Sequence, residues 1–241
     1  MDRKIVLLIS LFVFTKAFSA SDIIFRADFE EFIALNDTGL TWGSDYLTGI
    51  NADCSSNINA PQDCHDGRDV DNNDNSDGRV GFSFSKIAND GTVLPASATS
   101  WSCIKDNVTK LMWEAKTTDN TIHNSYTQYQ WGGITRQGSN YGTYYNDWDV
   151  LVNGSNSETL CGKSNWRAPT TVELMSLLDL GVSAPKIEVN YFPNIDGIFW
   201  SSQPANWTNE RAMTVSFAQT NGVVTGVSLR TSPKRLMLVT Q

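Results

Sequence analysis

Residues 161–179 read CGKSNWRAPTTVELMSLLD, a loop that hands over to a helix. Thr170 and Glu173 stand in the spacing of a capping box, in which the Thr oxygen takes an orphan backbone N–H and the Glu reaches back to the cap. Leu174, Leu177 and Leu178 fall on one helical face. Pro169 keeps the residue before it out of helical geometry, and Gly181 is the expected stop. Cys161, Trp166 and Arg167 precede this start. An Arg beside a Trp could grip an anionic ligand, but a helix N-terminus itself favours anions over cations. Arg is also the usual cation of buried ion pairs. The expectation is therefore a structural junction made by Trp166, Arg167, Thr170 and Glu173, with Trp166 in the core and Arg167 paired with an acid such as Glu114 or Glu173.

Outward from the junction, short strands dominate. Val80 to Ile87 alternates around Phe82 and Phe84. Residues 101–106 and 111–114 read as two strands around a turn at Asp106 and Asn107. Residues 147–152 suit a short helix. Beyond the junction, 198–202 reads as a strand, 212–217 and 223–229 as a hairpin around Thr220 to Gly222, and 236–239 as a final strand. Strands, helices, then strands again imply α+β rather than a parallel α/β sheet. One echo recurs: NDTGLTW at 36–42 and NVTKLMW at 107–113 share Asn-x-Thr-x-Leu-x-Trp. The plain reading is two similar turn-and-strand units; the sharper one makes them neighbouring strands of one sheet.

The first twenty residues differ from the rest. Arg3 and Lys4 precede an apolar run from Ile5 to Phe14, and Ala17 to Ala20 offers small residues for cleavage, the pattern of a signal peptide cut after Ala20. The run is too short to span a bilayer, and no other apolar run in the chain is long enough. Loss of residues 1–20 takes the net charge from −8 to −10. An acidic chain argues against generic nucleic-acid or anionic-membrane binding. The last third is mildly basic, which leaves local anion binding open. Four Cys remain after cleavage. In an exported chain an even number suggests two disulfides, with three pairings possible. The close spacing of Cys54 and Cys64 favours a local loop, leaving Cys103 and Cys161 as a long-range staple. With two His and no CxxC, a zinc site is not expected.

Two stretches carry candidate binding chemistry. Tyr126, Tyr129, Trp131, Tyr141, Tyr144, Tyr145 and Trp148 are interleaved with Gly, Asn, Ser, Gln and Thr. Amphipathic rings beside small hydrogen-bonding groups make adaptable recognition surfaces; the competing reading packs the same rings onto the core. Asp69, Asp71, Asn73, Asn75 and Asp77 alternate before Gly78, and oxygen ligands in series suit a hard cation such as calcium. No frame fits an EF-hand loop, and the plainer reading is a solvated acidic loop. No nucleophile with a positioned base is recognisable, so an enzyme is not expected and no cofactor is required, calcium being the one candidate.

Taken in order, WSCIKDNVTKLMWE (101–114), LCGKSNWRAPTTVELMSLLD (160–179), YFPNIDGIFWSS (191–202) and the closing hairpin resemble the Lcl C-terminal domain family of exported bacterial proteins. The resemblance covers about residues 96–241. LNDTGLTWG (35–43) and CHDGRDVDNNDNSDGRVGFSFSKI (64–87) are similar to a segment that often precedes it. The implied fold is a C-type-lectin-like compact domain, related to that of formylglycine-generating enzymes, with small twisted antiparallel sheets and about two helices. The implied division is a signal peptide at 1–20, an N-terminal extension at 21–95 and the family domain at 96–241. The family's namesake is a collagen-like adhesin whose terminal domain binds sulfated sugar polymers. This chain has no Gly-X-Y repeat and is acidic, which departs from that pattern. The expectation is a secreted or periplasmic, non-catalytic module for a surface glycan or an envelope or host protein. An envelope assembly protein without glycan binding and a divergent hydrolase are the alternatives.

Overall fold

The computed structural model describes residues 36–45, 49–53, 62–72, 74–132, 148–218 and 224–241. The signal peptide expected at residues 1–20 lies outside them. Three antiparallel sheets organise the described residues. Strands β1 (Trp42–Asp45) and β2 (Ile50–Asp53) form a two-stranded ribbon, followed by two single-turn helices, α1 (Asp63–Asp66) and α2 (Arg68–Asp71). The central sheet is built from β3 (Phe84–Ile87), β4 (Val93–Leu94), β5 (Cys103–Asp106), β6 (Met112–Glu114) and the C-terminal β10 (Val239–Thr240). Its spatial order is β10-β6-β5-β3-β4. Helices α3 (Asp149–Ser157) and α4 (Thr171–Met175) precede a meander of β7 (Ile198–Pro204), β8 (Arg211–Ser216) and β9 (Thr225–Leu229). This is an α+β fold of small antiparallel sheets, as expected, with more and shorter helices than the pattern suggested.

The central sheet is buried on both faces, and its side-chain alternation sorts residues into two cores. Phe84, Ile104 and Trp113 join Leu174, Leu177, Phe199 and Phe217 on one side. Ile87, Cys103 and Leu238 join Trp131, Trp148, Leu160, Trp166 and Trp200 on the other. Neighbouring residues of β7, Phe199 and Trp200, point into different cores, so the meander links the two. Strands β3 and β4, which precede the division expected at 95/96, lie inside this sheet. That division falls between β4 and β5, both of which pair with β3. All the described residues belong to one compact unit.

Several boundaries differ from the pattern for local reasons. Phe82 belongs to the core but not to β3, because Val80 and Gly81 adopt left-handed backbone, with φ of 49° and 79°. Helix α4 stops at Met175, well before Gly181. The chain tightens into i→i+3 bonds, Leu177 N to Leu174 O and Leu178 N to Met175 O, which still bury both leucines. Gly181 instead serves a close approach: a Cβ there would collide with the Gly39 carbonyl oxygen.

The repeated Asn-x-Thr-x-Leu-x-Trp motif is a repeated turn, not a pair of neighbouring strands. Trp42 lies in the ribbon and Trp113 in the central sheet. Gly39 and Lys110, the fourth residues, are both left-handed, with φ of 74° and 66°. Thr38 and Thr109 each accept a bond from the amide two residues on, Leu40 and Leu111, at 3.4 and 3.3 Å. The two turns meet where the Asn36 amide donates to Asp106.

Cys103 and Cys161 are bridged across a sequence separation of 58. Cys64 is also disulfide-bonded; its expected partner, Cys54, lies outside the described residues. The Cys103–Cys161 bridge fastens β5 to the turn at Leu160–Gly162 that leads into the junction. A crosslink of this span restricts the unfolded chain strongly. The double substitution C103S/C161S is expected to lower unfolding free energy by about 2–5 kcal/mol, measured by urea denaturation without reductant. A loss below about 1 kcal/mol would show that packing alone holds this junction.

Candidate functional site

The aromatic stretch does not form one surface. The backbone of Tyr129 exchanges hydrogen bonds with Lys234, and Trp131 N donates to Arg230 O, so this segment zips onto the chain after β9. That pairing turns the rings inward. Trp131 Nε1 donates to Ser201 O at 2.7 Å, its ring lies 5.4 Å from that of Trp148, and Trp200 Nε1 donates to Tyr129 O at 2.7 Å. Tyr129, Trp131 and Trp148 are therefore core residues, which corrects their expected role as contact residues. Tyr126 is exposed, with the Arg235 guanidinium 5.5 Å over its ring. Tyr141, Tyr144 and Tyr145 lie outside the described residues.

The acidic stretch is not an extended ladder either. Asp69 and Asp71 sit on α2, where residues two apart diverge. Asn75 accepts from Val80 N at 2.7 Å, and Asp77 accepts from the Ser83 hydroxyl. Asn73 lies outside the described residues. Among the described residues no three His, Cys, Asp or Glu side chains are grouped to hold a metal ion. Asp69 instead meets the N-terminal turn: Asp37 accepts from Asp69 N at 3.0 Å and from Gly39 N at 2.9 Å. Asp63 accepts from the Thr38 hydroxyl. Burial, reinforced by Asp37, pushes the Asp63 carboxyl up to about 6.

The helix junction has the expected construction. Thr170 Oγ1 accepts from Glu173 N, and Glu173 Oε2 accepts from Thr170 N at 2.7 Å, closing the capping box. Arg167 forks onto the same carboxylate, at 2.9 and 2.6 Å. Burial alone would raise the Glu173 carboxyl, but Arg167 and the cap outweigh it and hold it low. Trp166 is buried, its Nε1 bonded to Leu160 O and its backbone held by the Asn156 amide of α3. Arg167 also trades two backbone bonds with Val239.

Glu114, the other acid considered for Arg167, has a network of its own. It is fully buried and accepts from Lys116 Nζ at 2.8 Å, from Leu238 N at 2.9 Å and from His123 Nδ1 at 2.8 Å. His123 Nε2 faces Glu158 at 3.1 Å. Burial would raise the Glu114 carboxyl, yet Lys116 and His123 hold it below its usual range. Burial likewise disfavours the imidazolium, but Glu114 and Glu158 overcome that and raise His123. With a carboxylate on each ring nitrogen, both nitrogens must carry protons, which only the cation does. Sequence reasoning missed this cluster. Its signal was the period-2 spacing of Glu114 and Lys116 within an otherwise apolar strand register.

An open groove of about 1110 Å³ lies between residues 75–79, 96–101 and 182–191. Its aromatic walls are Trp101 and Tyr191, and its charged lining residues are Arg79, Lys86, Asp179 and Glu188. Lys86 is buried beneath it, with its ammonium 3.9 Å over the Trp101 ring and bonded to Ala96 O and Ala98 O. Arg79 pairs with Asp179 at 2.6 Å.

The family model of the Lcl C-terminal domain matches residues 102–240, more than half of the chain. The chain belongs to the Lcl C-terminal domain family. Comparison with curated proteins and with solved structures gives no match. The matched span of this Lcl C-terminal domain holds the junction, the Glu114 network and the 182–191 wall of the groove, whereas Arg79, Lys86 and Trp101 come from residues before it.

Two outcomes follow from these placements. Trp131→Ala is expected to destabilise by about 3–5 kcal/mol, and Tyr126→Ala by no more than about 0.5 kcal/mol, in parallel urea titrations; equal effects would return Trp131 to the surface. Because the folded His123 is raised above its usual 6.5, its contribution is full below that value and is lost as pH rises through the folded pKa. Wild-type unfolding free energy should therefore fall more steeply than that of His123→Ala as pH rises above about 6.5; identical profiles would refute the charged bridge.

Proposed function

We propose that the mature chain is an exported, non-catalytic binding module of C-type-lectin-like build whose ligand is a surface glycan. The observation that carries this reading is the open groove of about 1110 Å³. Its walls mix a fixed aromatic ring with serine, threonine and asparagine side chains, the chemistry that stacks on and hydrogen-bonds to sugars. The loops are held on a scaffold whose large side chains are packed and whose helix junction is bridged by disulfide and ion pair. A rigid frame carrying polar loops is the arrangement by which binding sites gain affinity without ordering cost.

Export is supported by the oxidised state of the cysteines, none of which is free among the described residues, since such bridges persist in oxidising compartments. The titratable clusters support binding over catalysis. The Glu114–His123 pair and the partly buried Arg167–Glu173 pair are committed to structural bonds, and among the described residues no hydrogen bond joins the side chains of either pair to a serine or cysteine nucleophile. The deciding experiment applies residues 21–241, with disulfides formed, to a broad glycan array with and without calcium. Reproducible binding to a glycan class is expected. Calcium dependence would add a metal to the site, and consumption of a bound glycan would make the protein a hydrolase. A blank array together with specific capture of one envelope protein would replace the glycan reading with an assembly role.

A further inference from the structure

Resting on that reading of the chain as a sugar-binding module, we propose that the groove bounded by residues 75–79, 96–101 and 182–191 is the binding site, and that it takes a neutral oligosaccharide stacked on Trp101. Three observations carry the assignment.

The first is that Trp101 is held in place yet remains open. Its Nε1 donates to Tyr191 O at 3.0 Å, the Lys86 ammonium sits 3.9 Å over the ring, and the ring packs against the larger core cluster. It is nevertheless only partly buried and lines the groove. An aromatic ring fixed by a hydrogen bond, a cation and apolar packing loses no rotamer freedom when a sugar ring stacks on it.

The second is charge. The four charged lining residues balance to zero, and each is already engaged. Lys86 is spent on two carbonyls at 2.9 and 2.7 Å. Arg79 and Asp179 hold each other. Glu188 accepts from the amide and side chain of Asn190 at 3.1 and 2.9 Å. Among the described lining residues each cation already has a partner, so a sulfate or a carboxylate would have to compete with those partners for Arg79 or Lys86. The exposed groups on the walls, including Ser97, Thr99, Ser183 and Asn190, match hydroxyl and acetamido partners instead.

The third is size. A volume near 1110 Å³ lies just above the usual range of small-molecule sites. It suits a chain of several sugar rings better than a monosaccharide.

The test uses the mature protein and calorimetric titration with cellotetraose, maltotetraose and chitotetraose, beside a sulfated polysaccharide. Trp101→Ala is expected to weaken binding of the preferred neutral oligosaccharide at least tenfold, with Trp101→Phe in between. Since Trp101 also contacts the core, Ser97→Trp on the exposed rim serves as a second variant. It should abolish binding by filling the groove while the melting temperature stays at the wild-type value. Affinity should change less than twofold between about 50 and about 500 mM NaCl, because no ion pair forms with the ligand. If Ser97→Trp and a folded Trp101→Ala bind as wild type does, the groove assignment is overturned while the glycan-binding reading stands. Preference for the sulfated polymer, or a tenfold loss in high salt, overturns the neutral-ligand assignment. If the wild-type protein binds no glycan at all, both readings fall together.

Discussion

A fully buried carboxylate, Glu114, is the constraint around which the structure is arranged. Placing an isolated charge in the interior costs several kcal/mol even after relaxation. The chain must therefore bring it donors from wherever they lie in sequence. Lys116 comes from just beyond the end of β6, His123 from the loop that follows, and the Leu238 amide from the far end of the chain. Satisfying this one side chain fixes the C-terminal strand beside β6, orders the 117–124 loop and, through Glu158, ties in the end of α3. Removing one donor leaves a buried charge short of partners, which is the costly direction of change. The network thus specifies an arrangement more than it adds stability.

The junction at 161–179 works on the same principle at lower cost. Arg167 and the Thr170 amide converge on Glu173, so one carboxylate both starts α4 and neutralises the cation beside it. The backbone of Arg167 pairs with Val239, next to the residue whose amide serves Glu114. Two buried acids, about sixty residues apart in sequence, therefore bear on adjacent residues at the C-terminal strand, Glu114 on Leu238 directly and Glu173 on Val239 through Arg167. The Cys103–Cys161 bridge closes the third side. The Cys in front of the helix reaches β5, the Trp ring fills the core and bonds Leu160 O, and the Arg guanidinium holds Glu173 of α4, while the backbones of Trp166 and Arg167 tie to α3 and β10.

What could be read from the residues was whatever local chemistry determines. The capping box, the turn before β6, the hairpin of β8 and β9 and the antiparallel α+β class all follow from short-range spacing. What could not be read was long-range. Tyr129 and Trp131 look like a recognition surface because they sit among Gly, Asn and Gln, and only their pairing with residues 230–234 turns them inward. Asp69 to Asp77 look like an extended ligand series because α2 is too short to leave a periodic signal. The groove is invisible for the same reason. Lys86, Trp101 and Tyr191 are distant in sequence, and a lysine stacked under a tryptophan has no spacing rule.

The repeated Asn-x-Thr-x-Leu-x-Trp turn shows how the segment before the matched family span became part of the domain. Each copy holds its fourth residue in left-handed backbone and bonds its Thr to the next Leu amide. The copies then join through Asn36 and Asp106. Gly39 is required on packing grounds too, since a Cβ there would strike the Asp179 carboxylate, the group that holds Arg79 over the groove. Thr38 O also accepts from Leu180 N. The first turn therefore braces the loop after α4 from outside, while Arg79, Lys86 and Trp101 supply walls that the 102–240 span alone lacks. A groove assembled from both parts of the chain, on a frame locked by two buried acids and a disulfide, explains why the upstream segment and the family domain fold as one body. The frame needs the second part, and the groove needs both.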